Sequence, residues 1–368
     1  MGVYKMATPS QAIITGVEVL AIRLPMEKEH KTASGIVSES PLVLTTIYTN
    51  TGITGHSIVF TYTPIALKPV ADLVMNMSPL IEKQVLAPIA LEQQLSSRFR
   101  LLGSQGLVGM ALAAIDMALW DAHAKLHDCN LVQLLGGAQK TIPVYGAIGF
   151  EGEKGSAETA TQLAQAGFRG VKAKVGYPDI KEELRVVSAI RNAVGPTIDI
   201  MLDYNQCLTP TEAIERTKRF NDAEITWIEE PTLAHDYKGH SVVKNTSSIP
   251  IQCGENWWNT LDLQHALDAD ASDFVMLDVM KIGGVSGWLR AATICASHQK
   301  LVSTHLWPEV SAQLLCLTPT AHWLEYCDWW NPLLKEPLQI ENGLAKVGSN
   351  TGLGMDWDDD VAAQFSIN

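Results

Sequence analysis

Ile198-Asp199-Ile200-Met201-Leu202-Asp203-Tyr204 is a short apolar, β-branched run that closes on a carboxylate, and Ile225-Thr226-Trp227-Ile228-Glu229 repeats the pattern 26 residues later. Outward from this pair the series continues in both directions. Lys172-Ala173-Lys174 ends an earlier run, and Glu255, Asp278, His305 and Glu325 end later ones. From Asp203 to His305 the separations are 26, 26, 23 and 27 residues, the length of one strand, one helix and two connections. Each titratable residue therefore closes a successive βα unit. In a closed parallel barrel the C-terminal strand ends open on one face, so these groups converge there.

The strand signal recurs at 144–148, 170–175, 198–204, 225–228, 249–253, 274–277, 301–304 and 323–327, eight candidates in about 185 residues, as a (β/α) barrel requires. Ser156 is expected to cap a helix stopping at Gly167, and a second helix over 180–194 to stop at Gly195. A doubly wound sheet is the weaker alternative, because no GxGxxG or GxxxxGKS pattern follows a strand. Gly283-Gly284-Val285-Ser286-Gly287 reads as a tight strand-to-helix turn. The preceding part has a different rhythm: strands near 14–24, 41–49 and 53–60, the last two joined across Asn50-Thr51-Gly52, then helical periodicity over 66–86, 89–99 and 107–126. Sheet followed by helices predicts an α+β domain. Residues 1–12 read as a loose leader. The expected fold class is α/β, a modified TIM barrel (β/α)₇β over 136–344 with an N-terminal α+β capping domain over 1–135, joined by the C-terminal segment 345–368.

Composition narrows the function classes. A formal net charge of −13 without a concentrated Lys/Arg run argues against nucleic acid and anionic membranes as partners. Charged residues are 18% and hydrophobic ones 46%, lean in charge against an average of about 25%; extensive burial, including subunit interfaces of a homo-oligomer (dimer or octamer), is expected. Six scattered cysteines without CxxC spacing and no secretory pattern read as reduced thiols of a soluble, cytoplasmic protein.

Asp203, Glu229 and Glu255 on three consecutive strands form a hard, all-oxygen donor set that favours Mg²⁺, with Mn²⁺ second. Each alone reads equally as a solvated strand-end carboxylate; their recurrence on neighbouring units is the signal. Composition does not separate Glu229 from Glu230, of which alternation points only one into the mouth. Lys172 and Lys174 project to the same side of their strand, where a neighbouring cation and desolvation are expected to depress a lysine toward general-base chemistry. Asp278 bonded to one nitrogen of His305 fixes its tautomer and frees the other for proton transfer. Lysine and histidine then address a ligand from opposite sides of the metal. Asn205 is placed to hold a ligand hydroxyl, and Glu325 to share a proton with a substrate carboxylate. A metal flanked by a base and an acid points to abstraction of an α-proton.

Gly170-Val171-Lys172-Ala173-Lys174, Asp203-Tyr204-Asn205-Gln206, Trp227-Ile228-Glu229-Glu230-Pro231-Thr232, Gly254-Glu255-Asn256-Trp257, Asp278-Val279-Met280-Lys281-Ile282-Gly283-Gly284-Val285 and His322-Trp323-Leu324-Glu325 together resemble the mandelate racemase branch of the enolase superfamily. The likeness covers nearly the whole chain, including Pro41-Leu42-Val43-Leu44 and Tyr62-Thr63-Pro64. It implies Mg²⁺ on Asp203, Glu229 and Glu255, Lys174 as one base, and His305 with Asp278 as the other. It also implies Lys172 and Glu325 on the substrate carboxylate, and Asn205 near the metal and the α-hydroxyl. Departures bear on the substrate. Ala147 stands where a carboxylate-binding serine is expected, and Glu27-Lys28-Glu29-His30-Lys31-Thr32, in the mobile cap loop, is more polar than a wall for a phenyl ring. Val37 and Tyr62 remain compatible with such a wall, and His30 or Lys31 could touch a polar substrate tail. The expected activity is racemisation or epimerisation of a 2-hydroxycarboxylate, mandelate-like, by an isomerase. An acid-sugar dehydratase (a lyase) or cycloisomerase shares its first step. A non-catalytic scaffold, or a metal hydrolase, fits less well: the first would not need all these groups, and the second usually shows an HxH pair, which the ten histidines lack.

Overall fold

Three runs of alternating and β-branched residues pair into an antiparallel sheet, β1 (Ile14–Thr32), β2 (Gly35–Thr49) and β3 (Thr54–Phe60), with β2 in the middle. The structure, a computed structural model, describes residues 11–32 and 35–367, so nearly all of the expected leader lies outside the described residues. β2 and β3 turn across Asn50-Thr51-Gly52 as expected, with Thr49 N donating to Ile53 O at 3.1 Å. The first hairpin corrects the sequence reading. β1 does not end near residue 24: after a register shift between Pro25 and His30 it pairs His30 with Val37 and Thr32 with Gly35. The polar 27–32 segment is thus a strand arm held by its ladder, not a free loop. Phe150 N adds a bond to Lys31 O at 2.8 Å, and Lys28 pairs with Glu151 at 2.7 Å.

The helices α1 (Pro64–Ile81), α2 (Pro88–Arg98) and α3 (Gly106–Leu126) follow. α3 is apolar on all sides and long enough to cross a membrane, but it is buried within the protein, which explains its composition. One side meets the sheet so closely that a Cβ on Gly55 would sit 2.6 Å from Ala122 Cβ.

After a short α4 (Leu131–Leu134), strands and helices alternate: β4 (Ile142–Ile148), α5 (Gly152–Gln165), β5 (Gly170–Lys174), α6 (Ile180–Val194), β6 (Asp199–Asp203), α7 (Pro210–Thr217), β7 (Ile225–Glu229), α8 (Tyr237–Thr246), β8 (Ile251–Cys253), α9 (Asn259–Asp268), β9 (Phe274–Asp278), α10 (Gly284–Ser297), β10 (Val302–His305), α11 (Pro308–Leu317) and β11 (Leu324–Tyr326). Neighbouring strands from β4 to β10 are parallel, and β11 pairs parallel with β4. Thr304 N to Trp323 O at 3.0 Å and His322 N to Val302 O at 2.8 Å close the ring. This is the expected (β/α)₇β barrel with an N-terminal cap. On its far side α3 docks on the barrel: Trp120 Nε1 donates to Ser286 Oγ at 2.8 Å, and Ser286 N to Asp116 Oδ2 at 3.0 Å, at the start of α10. Ser156 is not a cap; it lies buried inside α5, which begins a turn earlier at Gly152. Below the strand ends the interior is plugged by Tyr145, Met201, Trp227 and Trp323.

The chain finishes with β12 (Gln339–Glu341) and β13 (Leu344–Lys346), a hairpin added antiparallel to β4, and α12 (Asp359–Gln364). Arg23 N to Phe365 O at 3.0 Å and Ile367 N to Ala21 O at 2.9 Å tie this last segment to β1. His56, Asp121 and Asp356 cluster nearby, but Lys125 Nζ already fills the space among them, 2.7 Å from Asp121 and 2.5 Å from Asp356.

Candidate active site

Alternation along β5 points Lys172 and Lys174 inward, and β6 and β7 end on Asp203 and Glu229. Glu255 comes two residues after β8, past Gly254 at φ +136, where a Cβ would meet Met276 O at 2.5 Å. Only glycine lets the chain turn there, and the turn delivers Glu255 to the other two. Oxygens of Asp203, Glu229 and Glu255 lie within 4.8 Å of one another, all three residues buried. The structure resolves the Glu229/Glu230 alternative: Glu230 turns away at φ +36 and accepts from Asn256 Nδ2 at 2.6 Å.

Two lysines face this cluster. Lys172 Nζ lies 2.6 Å from Glu229, 2.7 Å from Glu325 and 3.6 Å from Asp203; Lys174 Nζ lies 2.5 Å from Asp203. The expectation of depressed lysines is corrected: burial pulls both down, but the facing carboxylates outweigh it and both stand raised, Lys172 well above its ordinary value. Burial pushes Glu229 well up; Lys172 opposes this, and Asp203 and Glu255 add to it. Three carboxylates this close do not share one desolvated site as anions without more positive charge than two ammonium groups provide. Glu255 Oε2 is also buried with no hydrogen-bond partner. Orphaned oxygen, all-oxygen donors and surplus negative charge fit a hard divalent cation.

On the opposite side, β9 ends on Asp278 and β10 on His305. His305 Nδ1 lies 2.7 Å from Asp278 Oδ2, and Nε2 lies 3.5 Å from Glu255 Oε2. The Asp278 contact at Nδ1 orients the ring so that Nε2 faces Glu255. Glu325 accepts from Leu306 N at 3.1 Å, where Leu306 is held at φ +52. Burial alone would raise Glu325, but Lys172, His305 and Lys174 hold it below the usual carboxylate range.

A cavity of about 510 Å³ is lined by Lys174 and His305 and by Glu255 and Asn205. Asn205 donates from N to Asp203 Oδ1 at 2.8 Å, while its own Oδ1 is buried without a partner. The cap closes the cavity with His30, Val37 and Tyr62, as expected, whereas Lys31 is exposed and does not line it. Burial, then Lys174, lowers the His30 imidazole to about 4, so it is a neutral ring, packed against Trp329 at 5.3 Å between centroids. Ala147 lines an adjoining space of about 720 Å³ behind His30 and Trp329. Sequence reasoning missed Phe60, Met110, Trp258, Lys281 and Trp329 in the wall. Lys281 and Trp258 stand within or beside quoted motifs and were detectable; Met110 and Trp329 arrive from remote helix and loop and were not.

The family pattern described as enolase C-terminal domain-like matches residues 155–361, and that of the mandelate racemase/muconate lactonizing enzyme N-terminal domain matches 14–136. A Bradyrhizobium enolase solved with magnesium and mandelic acid superimposes with a TM-score of 0.94 at 40% identity, covering 98% of this chain and 100% of that one. L-talarate/galactarate dehydratase of Salmonella typhimurium is 31% identical over 69% of this chain and 64% of that protein, so the match spans somewhat less than two thirds of its length. D-galactarolactone cycloisomerase of Agrobacterium fabrum is 30% identical over 72% of this chain and 76% of that protein. With both domains matched and the strand-end groups assembled at one mouth, the chain belongs to the mandelate racemase/muconate lactonizing enzyme family of the enolase superfamily.

Proposed function

We propose that this enzyme is a Mg²⁺-dependent racemase or epimerase of a 2-hydroxycarboxylate, with mandelate or a similar aryl hydroxy acid as substrate. What supports the reading is that Lys174 and His305 line one cavity from two different barrel strands, each beside a different member of the carboxylate triad. Asp203, Glu229 and Glu255 would hold the ion, which when bound supplies positive charge to stabilise an enediolate. Lys172 anchors the substrate carboxylate together with Glu325, and Asn205 takes the α-hydroxyl on its unpartnered Oδ1. One base removes the α-proton; the conjugate acid of the other delivers a proton to the opposite face, inverting the carbon with no net change in composition. Asp203 holds Lys174 as an ammonium; an ion on the same carboxylates would weaken that hold and free the amine to act as a base.

The dehydratase and cycloisomerase relatives keep a second reading open, in which His305 acts as an acid on a β-leaving group of an acid sugar. The wall favours the first. Val37, Phe60, Tyr62, Met110 and Trp329 offer apolar surface, whereas a polyhydroxylated chain needs a hydrogen-bond partner for each hydroxyl it buries. The deciding experiment incubates aryl and sugar acids with enzyme and Mg²⁺ in D₂O and follows them by NMR. Racemisation gives α-deuterium in both enantiomers without a keto product; a 2-keto acid from a sugar acid, with no exchange in aryl acids, would replace the proposal with dehydration.

A further inference from the structure

Tyr62 follows β3 and is the cap residue that reaches the imidazole pair. Its backbone is held at φ +60, an uncommon conformation for a bulky residue. Thr61 N to Pro41 O at 2.9 Å on one side and the capping of α1 by Thr63 on the other fix it there. The ring lies parallel to that of His305, 3° between planes and 6.5 Å between centroids, with Lys281 Nζ 4.5 Å from its centre. Its hydroxyl donates to Asp278 Oδ2 at 3.1 Å, the oxygen that also accepts from His305 Nδ1 at 2.7 Å. Lys281 N donates to Asp278 Oδ1 at 2.9 Å. Burial, then Asp278, keeps the phenol far above its ordinary value, so it remains a donor.

The two bases are therefore built differently. Lys174 finds its polar partner, Asp203, on the neighbouring barrel strand. The carboxylate that orients His305 is pinned from two directions, by the barrel through Lys281 N and by the cap through Tyr62. Rotation of Asp278 about its side-chain bonds would swing the imidazole with it, and the phenol is the contact that opposes this on the cavity side. We propose that Tyr62 is a positioning residue for His305: its hydroxyl locks the Asp278 carboxylate, so that the imidazole half of the site is organised by the seated cap, whereas Lys174 is held by the carboxylate of a barrel strand. The inference rests on the two-base reading above and deepens it.

Tyr62→Phe keeps the ring, its stacking and its contact with Lys281, and removes only the hydroxyl. The test measures α-proton exchange of each mandelate enantiomer separately in D₂O with Mg²⁺-loaded enzyme. His305→Asn identifies the enantiomer whose proton leaves to the imidazole. Tyr62→Phe is expected to slow exchange of that enantiomer by about 10- to 100-fold, the usual effect of losing an orienting partner behind a site residue, and to leave the other within about twofold. A second readout does not depend on turnover: the Nδ1–H proton of His305, assigned by its loss in His305→Asn, is expected to exchange with water faster in the metal-free variant. Equal slowing of both enantiomers, or no slowing, overturns the proposal. If the wild-type enzyme exchanges no hydroxy acid at all, the two-base reading fails on its own. The Nδ1–H signal then decides about Tyr62, and a signal unchanged in Tyr62→Phe overturns it.

Discussion

Lys172→Met tests the charge balance on which the whole site depends. The side chain is fully buried and is the shared cation of Glu229, Glu325 and Asp203, at 2.6, 2.7 and 3.6 Å. Methionine preserves its length and its apolar stem but leaves those carboxylates facing one another. Removing one partner of a buried ion pair costs about 3–5 kcal/mol, partly recovered here because Glu229 already leans toward its neutral form. With an unfolding entropy of about 2.1 cal/mol/K per residue, the 368-residue chain loses roughly 1.3 °C of Tm per kcal/mol, so a drop of about 4–6 °C is expected in EDTA. Mg²⁺ at about 100 times its Kd adds about 2.7 kcal/mol to the wild type, or roughly 3–4 °C. In the variant the increment is larger, because the ion replaces charge that Lys172 had supplied. Turnover falls at least about 10³-fold, or about 4 kcal/mol of transition-state stabilisation, since the substrate carboxylate loses its anchoring cation. Calorimetry with and without Mg²⁺, alongside polarimetric turnover, checks all three. A variant that melts with the wild type in EDTA and gains no more from Mg²⁺ would refute the argument that Lys172 compensates the carboxylates.

Glu325→Gln keeps an acceptor for Leu306 N but turns its amide nitrogen toward Lys172 and removes the charge, so a loss of about 10²-fold in kcat/KM is expected in steady-state assays, with a lowered Tm in thermal melts. Asp116→Asn tests a buried acid away from the site. Burial raises Asp116 to about 7, so the folded state holds its proton longer than the unfolded chain does. The sign follows: wild-type stability is fully present below the unfolded value near 3.8 and is lost as pH rises through about 7. The variant lacks this loss, and urea midpoints are expected to favour Asp116→Asn by about 1 kcal/mol at pH 8 and to converge only as the pH falls below about 4; a gap that widens at low pH would contradict it. Gly55→Ala forces a methyl group against Ala122 where β3 crosses α3, and a loss of about 1–3 kcal/mol should appear in thermal melts, with the strand-end groups of the barrel untouched.

How much of this was legible in the chain depends on the range of the physics. Periodicity is local. The β-branched runs, the intervals of 23 to 27 residues between terminal charges, and the glycine after α6 each record a constraint acting within one βα unit, and the barrel follows from repeating it. The same logic put Lys172, Lys174, Asp203, Asp278 and His305 at one mouth, because strand ends and alternation decide which way a side chain points. Where local signals ran out, contacts between distant segments decided. Ser156 has the residue type of a cap, yet α5 starts earlier and buries it. The polar 27–32 arm became a strand because β2 supplies its ladder. Glu229 was separated from Glu230 only by packing against Lys172, Trp227 and Gln252.

By itself, then, the sequence determined the barrel, its cap and which titratable groups end its strands, since these follow from residue type and spacing along one strand–helix unit. Only the tertiary structure decided the protonation of those groups and the shape of the pocket. Each lysine's charge is set by carboxylates on other strands, and the wall residues come from several elements of cap and barrel. Such electrostatic and packing terms depend on distances across space, which spacing along the chain does not encode.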